Sequence, residues 1–270
     1  MESKRVMKRD LTECMDFARD AARKAGDIAL EYFQSEVAVE AKGDGSPVTI
    51  ADRRAEKELR ALIGRQYPTD AILGEEFGDQ PGSSGWRWIL DPIDGTQSFI
   101  HGVPLFGVLI GLEYQAEAVL GVVYLPGLDE WVYAARGHGC WWLPTKRGTN
   151  SSPCRASVSL KPALSEGLTL ITGYEYFAMS GHASVLDRLL NAGRTRGWGD
   201  CYAHVLVATG RADAAVEPLM HVWDNAPLLP ILLEAGGDFT DWKGNRTIAG
   251  GNAISSNGKV HAELLRLVQE

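Results

Sequence analysis

Cysteine is scarce and dispersed in this chain. Cys14, Cys140, Cys154 and Cys201 stand far apart, with no C-x-x-C pair. That spacing excludes a zinc ribbon and a dithiol redox motif, and a disulfide framework does not suit a chain of 270 residues. Long apolar runs are also missing. The most apolar stretch, Val103 to Gly127, is interrupted by Glu113, Gln115 and Glu117, so it makes no membrane span. The amino terminus passes from basic residues into an amphipathic pattern without the continuous apolar core of a signal peptide. Basic residues are in deficit: 27 Lys and Arg against 35 Asp and Glu give a formal charge of -8, which offers no general pull toward nucleic acid or an anionic membrane. Six scattered histidines include no pair at ligand spacing beside a carboxylate, which argues against zinc. Repeats and low-complexity tracts are absent. The expectation is a protein of the reducing cytoplasm.

What is present reads as alternating helix and strand. Leu11 to Phe33 carries apolar residues at helical spacing, and a second helix runs from about Asp52 to Gln66 behind the turn-rich A-K-G-D-G-S-P-V-T-I-A-D, where Gly43, Gly45 and Pro47 give the freedom to turn. Trp86 to Trp142 is mainly β, in short runs rich in Val, Ile and aromatics. Pro144 to Pro153 is the one candidate linker. Beyond it, strands at L-T-L-I-T and A-A-V-E alternate with helices near His182–Asn191, Tyr202–Gly210, Asn225–Ala235 and His261–Val268. The expected organisation is one compact unit. Its first half, residues 1–145, carries most of the candidate ligands, and its second half, 146–270, carries Asp224 and the substrate-side residues, with a cleft between them.

Acidic residues cluster at the ends of these elements: Asp52, Glu75-Glu76, Asp91 and Asp94 in W-I-L-D-P-I-D-G-T, and Asp224 in V-W-D-N-A-P. Two carboxylates three residues apart, with the Ile93 carbonyl between them, form an all-oxygen nest for a hard cation such as Mg²⁺. The N–H groups of Gly95 and Thr96 at the start of a helical turn suit a phosphate. Together they point to phosphoryl chemistry. Read alone, D-P and D-G also favour simple turns.

The ordered set K-G-D-G-S-P-V-T-I-A-D, G-E-E, W-I-L-D-P-I-D-G-T, W-D and E-A-G-G resembles the inositol monophosphatase superfamily of metal-dependent phosphatases over nearly the whole chain. The resemblance implies an α+β fold, a sandwich of alternating helix and sheet layers (αβαβα). It also implies dependence on two to three Mg²⁺ ions, a small phosphate monoester as substrate, and a homodimer. By position, Glu75, Asp91 and the Ile93 carbonyl would hold a first metal, and Asp91, Asp94 and Asp224 a second. A third, weaker ion would lie near Glu75. Asp52 and Thr96 would orient the attacking water, the hydroxyl relaying between water and carboxylate.

Two departures bear on the substrate. Asp94 to Phe99 reads D-G-T-Q-S-F where inositol enzymes typically read D-G-T-T-N-F, and R-G-W-G-D-C-Y places Asp200 where they carry a small or hydroxyl residue. Both resemble the histidinol-phosphate phosphatase branch. Asp200 and Glu217 would then pair with the cationic alcohol part, and Arg196 would contact substrate or brace the loop or a dimer interface. Asp200 could equally cap a helix, and Glu217 could pair with an Arg. Trp198 could flank an imidazole. An inositol-1-phosphate or broad sugar-phosphate phosphatase is the competing reading. A non-catalytic regulatory binding protein on the same fold is the alternative from another class.

Overall fold

The computed structural model describes residues 9–43, 47–144 and 152–269. Gly45 of the turn-rich loop, the boundary at 145/146 and residues 145–151 of the expected linker lie outside them. Helix α1 (Leu11–Tyr32) starts at Asp10, whose side chain accepts from the Thr12 N–H. A two-residue pairing of β1 (Glu40–Ala41) with β2 (Pro47–Val48) leads into α2 (Ile50–Gln66). That helix begins two residues earlier than the sequence reading, because Thr49 is the N-cap and Asp52 closes a capping box on it.

Eight strands form the larger sheet: β3 (Ala71–Gly74), β4 (Gly78–Gln80), β5 (Trp86–Asp94), β6 (Gly107–Tyr114), β7 (Glu117–Leu125), β8 (Glu130–Ala135), β9 (Gly139–Leu143) and β10 (Cys154–Arg155), in the order β10-β9-β8-β7-β6-β5-β3-β4. All its pairings are antiparallel except β3 with β5. Short helix α3 (Thr96–Ile100) leaves the end of β5. The smaller sheet, in the order β12-β11-β13-β15-β14, contains β11 (Leu168–Ile171), β12 (Arg194–Arg196), β13 (Ala214–Glu217), β14 (Asp238–Thr240) and β15 (Ala253–Ser256). Helices α4 (Tyr174–Met179), α5 (Ala183–Ala192), α6 (Asp200–Ala208), α7 (Val222–Glu234) and α8 (His261–Gln269) complete the chain.

Strand alternation divides the apolar side chains among three interfaces. Trp88 and Leu90 of β5 join Ile110 and Val122 in facing α1 and α2, through Met15, Ala18, Leu59 and Ile63. Ile89, between them, points the other way with Leu109 and Val123, against Val205 of α6 and Leu228 and Ile231 of α7. The same cluster includes Leu170, Ala215 and Phe239 of the smaller sheet. On that sheet's outer face Ile171, Val216 and Ile254 meet Phe177, Val185, Leu189 and Leu264. The result is five layers, αβαβα, with α6 and α7 in the middle.

The sequence reading passes over α4 and β12, too short to carry a period of their own, and starts α7 three residues late. Cys14, Cys140, Cys154 and Cys201 are all free thiols. Among the described residues no helix is long and apolar enough to cross a membrane.

Helix α7 lies unusually close to the larger sheet. Gly111 and Gly121 face each other across β6 and β7. A Cβ at Gly111 would stand 2.7 Å from the Ala226 Cβ, and one at Gly121 would overlap the Pro227 carbonyl. Only hydrogen at both positions lets the backbone of α7 settle there. Gly121→Ala should therefore cost about 1–3 kcal/mol or more by overpacking. Urea unfolding would register this as a lowered midpoint at unchanged slope; a midpoint equal to wild type would refute the close-approach argument.

Candidate active site

The end of β5 is irregular where it matters. Its pairing with β6 is continuous to Asp91, then shifts register before Asp94 meets Gly107. Pro92 has no N–H to donate to a ladder, so the break falls there. Gly95 follows at φ +82° as the N-cap of α3, a left-handed position that favours glycine. A Cβ there would also crowd the Leu105 carbonyl at 3.0 Å and Asp200 Oδ2 at 3.2 Å. The first turn of α7 brings Asp224 to the same place from the middle layer.

Asp91, Asp94 and Asp224 converge, each offering an oxygen within 4.8 Å of the others'. Each carboxylate is also oriented by a backbone N–H. Ile93 N donates to Asp91 Oδ1 at 3.1 Å, Cys201 N to Asp94 Oδ2 at 2.6 Å, and His221 N to Asp224 Oδ2 at 2.6 Å. Among the described residues this is the one group of acidic, His or Cys side chains at metal-binding separation.

Withdrawal from water raises the pKa of all three, and mutual repulsion adds to it. Burial, then the charges of Glu75, Asp94 and Asp224, push Asp91 well above the carboxylate range. Burial followed by Asp224 takes Asp94 to about 7, against the opposing hydrogen bond from Cys201. Asp224 also reaches about 7, through burial and Glu75, although the His221 N–H works the other way. Three converging oxygen donors that repel one another fit a hard divalent cation, which would relieve that repulsion. The Ile93 carbonyl, beside them, accepts the Thr96 hydroxyl at 3.1 Å.

Glu75 stands near enough to raise Asp91, but its own Oε1 is held by Lys42 Nζ at 2.6 Å, and the same ammonium binds Glu76 Oε1 at 2.6 Å. Burial works to lower Lys42, and the two ion pairs outweigh it, leaving its pKa raised. The turn that carries Glu75 is fixed by Glu56, a fully buried acid of α2 that accepts the N–H groups of Glu76 at 2.7 Å and Phe77 at 3.2 Å. Glu56 was not singled out in the sequence, although it interrupts the apolar face of α2 between Ala55 and Leu59. Among the described residues no direct hydrogen bond joins Thr96 to Asp52. Thr96 donates to Ile93, and Asp52 Oδ2 accepts both the N–H of Thr49, at 2.8 Å, and its hydroxyl, at 2.6 Å. The capping box of α2 claims that oxygen first. Burial raises Asp52, with the Thr49 hydrogen bonds opposing.

A cavity of about 390 Å³ opens beside the carboxylates, lined by Glu75, Gly95, Thr96, Asp200, Tyr174 and Trp198 among others. Asp200 does not cap α6: Gly199 is the N-cap, without a side-chain hydrogen bond. The Asp200 carboxylate instead accepts the Thr172 hydroxyl at 3.4 Å, and burial with the charge of Asp94 takes it to about 7. Glu217 has no Arg partner among the described residues. It is buried beside Asp200, its Oε1 accepts no hydrogen bond, and burial pushes it well above the carboxylate range. Arg196 is exposed on β12, with its guanidinium on the Thr195 carbonyl, and it does not line the cavity. Trp223 stacks on His221 with centroids 4.8 Å apart, flanking Asp224.

Carboxyls raised in the folded state keep protons there that the unfolded chain gives up above about pH 4. Their contribution to metal-free stability therefore falls as pH climbs from about 4 through about 7, the value for Asp94, Asp200 and Asp224. A saturating divalent cation should raise Tm by roughly 5–10 °C at pH 8 and by less at pH 5. Calorimetry across that range checks this; an equal shift at both pH values would contradict it.

The model of the inositol monophosphatase family matches residues 10–270. A protein named histidinol-phosphatase from Chlorobaculum parvum is 41% identical over 96% of this chain and 97% of its own length. An inositol-1-monophosphatase from Rhizobium meliloti is 33% identical over 92% of this chain and 93% of its own. Among solved structures, the extragenic suppressor protein suhB from Bartonella henselae superposes with a TM-score of 0.85 at 30% identity, covering 96% of this chain and 99% of that one. With the carboxylate trio and the five-layer sandwich, these matches place the chain firmly: it belongs to the inositol monophosphatase family of phosphatases.

Proposed function

We propose that the protein hydrolyses a phosphate monoester with Mg²⁺, and that the ester is L-histidinol phosphate. The observation that carries this is the convergence of Asp91, Asp94 and Asp224 at the edge of a cavity lined by Gly95, Thr96 and further acids. Asp91, Asp94, Asp224, Glu75 and the Ile93 carbonyl would hold the metal. Bound there, divalent cations supply the positive charge that offsets a phosphate dianion and lowers the pKa of water. The chain's own residues do the positioning. Backbone N–H groups aim the three carboxylates, and the residues at the start of α3, Gly95 and Thr96, line the cavity where phosphate oxygens would sit. Thr96, on the cavity wall, and Asp52 would orient the attacking water. The water oxygen forms the new bond to phosphorus, the bond from phosphorus to the alcohol oxygen breaks, and a proton passes to the departing alkoxide.

Support for histidinol phosphate comes from three directions: the D-G-T-Q-S-F and R-G-W-G-D departures, the acidic cavity wall that includes Asp200, with Glu217 buried near it, and the relative at 41% identity named histidinol-phosphatase. A neutral polyol would gain little from an acidic wall, whereas an ammonium or imidazolium is drawn to it. The intact trio speaks against a purely regulatory role. Four unbridged thiols suit a reducing compartment, the cytoplasm.

Phosphate release in Mg²⁺ from L-histidinol phosphate and inositol 1-phosphate, compared by kcat/KM, tests this. The expected ratio favours histidinol phosphate by at least about tenfold. A ratio near one or below assigns the enzyme to another ester. Asp94→Asn should lower kcat by at least about 100-fold on either substrate, and unchanged turnover would overturn the metal assignment.

A further inference from the structure

The cavity has a partly buried inner end, at Gly95, Thr96 and Asp200, and an exposed mouth. Tyr174, Glu175 and Tyr176 line the mouth from α4, and Trp198 from the loop between β12 and α6. Tyr174 is 54% exposed and Trp198 43%, so both rings present apolar faces to whatever enters. No role described so far uses Glu175. It is exposed, and among the described residues its carboxylate has no hydrogen bond or ion pair. The carboxylate lies back over Gly173, also on the cavity wall, in space that any larger residue at 173 would fill.

The two inner acids are less well placed to read the alcohol part of a substrate. Glu217 is 1% exposed and accepts the Thr172 N–H. Asp200 Oδ2 lies against Gly95, at the end of the cavity where phosphate would sit. A monoester with its phosphate at the trio extends its alcohol outward, past Trp198 and toward Glu175. We propose that Glu175, with Trp198, selects an alcohol bearing a cationic ring or amine, the carboxylate pairing with the charge and the indole face covering the ring. The proposal rests on the histidinol phosphate reading. It gives Glu175 the contact that the sequence assigns to Asp200 and Glu217. An unpaired carboxylate at the mouth also disfavours a neutral polyol less than it favours a cation, so it acts as a discriminator. An indole is the strongest of the aromatic faces for a cation.

Steady-state kinetics in Mg²⁺ on the wild type, Glu175→Gln and Trp198→Leu, with L-histidinol phosphate and inositol 1-phosphate, tests it. In Glu175→Gln the kcat/KM ratio of the two esters should fall about tenfold, carried by KM for histidinol phosphate while kcat stays near its wild-type value. Trp198→Leu should lower the same ratio about threefold. A wild type that prefers histidinol phosphate, with the preference surviving in Glu175→Gln, overturns this proposal and leaves the substrate reading standing. A wild type without that preference overturns both.

Discussion

Like charges forced into one small volume are the constraint around which this molecule is arranged. Asp91, Asp94 and Asp224 come from two layers, and left to themselves they would separate. What prevents this is a pair of geometric locks. One is the glycine window of β6 and β7, which lets α7 lie against the sheet and brings Asp224 to the end of β5. The other is the set of backbone N–H groups, from Ile93, Cys201 and His221, each fixing one carboxylate oxygen. Main-chain donors suit this task because they cannot swing away as a side-chain partner would, and they favour the charged form that a cation needs.

Around the trio the remaining acids divide by their partners. Glu75 and Glu76 share Lys42, Glu56 is spent on holding their turn, and Asp52 is engaged by Thr49. Asp200 and Glu217 are withdrawn from water, Asp200 on the inner cavity wall, while Glu175 at the mouth has no partner among the described residues. The chain's formal charge of -8 is thus concentrated in part at one site, where it would repel an anion unless a bound cation reversed the local field.

Much of the site was legible in the sequence because its acids sit in short motifs whose neighbours betray their purpose. Pro92 interrupts a strand between two carboxylates, Gly95 supplies a left-handed turn, and Trp223 announces Asp224. The layered fold was legible through the resemblance, and the larger elements through periodicity. What the sequence concealed acts through tertiary approach. Nothing near Cys201 marks its N–H as the partner of an aspartate 107 residues earlier, and Gly111 and Gly121 read as ordinary strand glycines until α7 is laid on them. Thr49, as N-cap, holds one carboxylate oxygen of Asp52, a local bond that motif spacing does not announce. Glu175 belongs to a helix too short to have a pattern.

The N–H of Cys201 that holds Asp94 ties the middle helical layer to the larger sheet. A chain in which α6 and α7 have not yet packed on the larger sheet therefore has its β5 motif in place but lacks both that donor and Asp224. Such a species offers an incoming cation two loosely aimed carboxylates and no third. The three-carboxylate arrangement therefore exists only in the assembled molecule, and the binding free energy of any cation that it holds would fall on the native state alone.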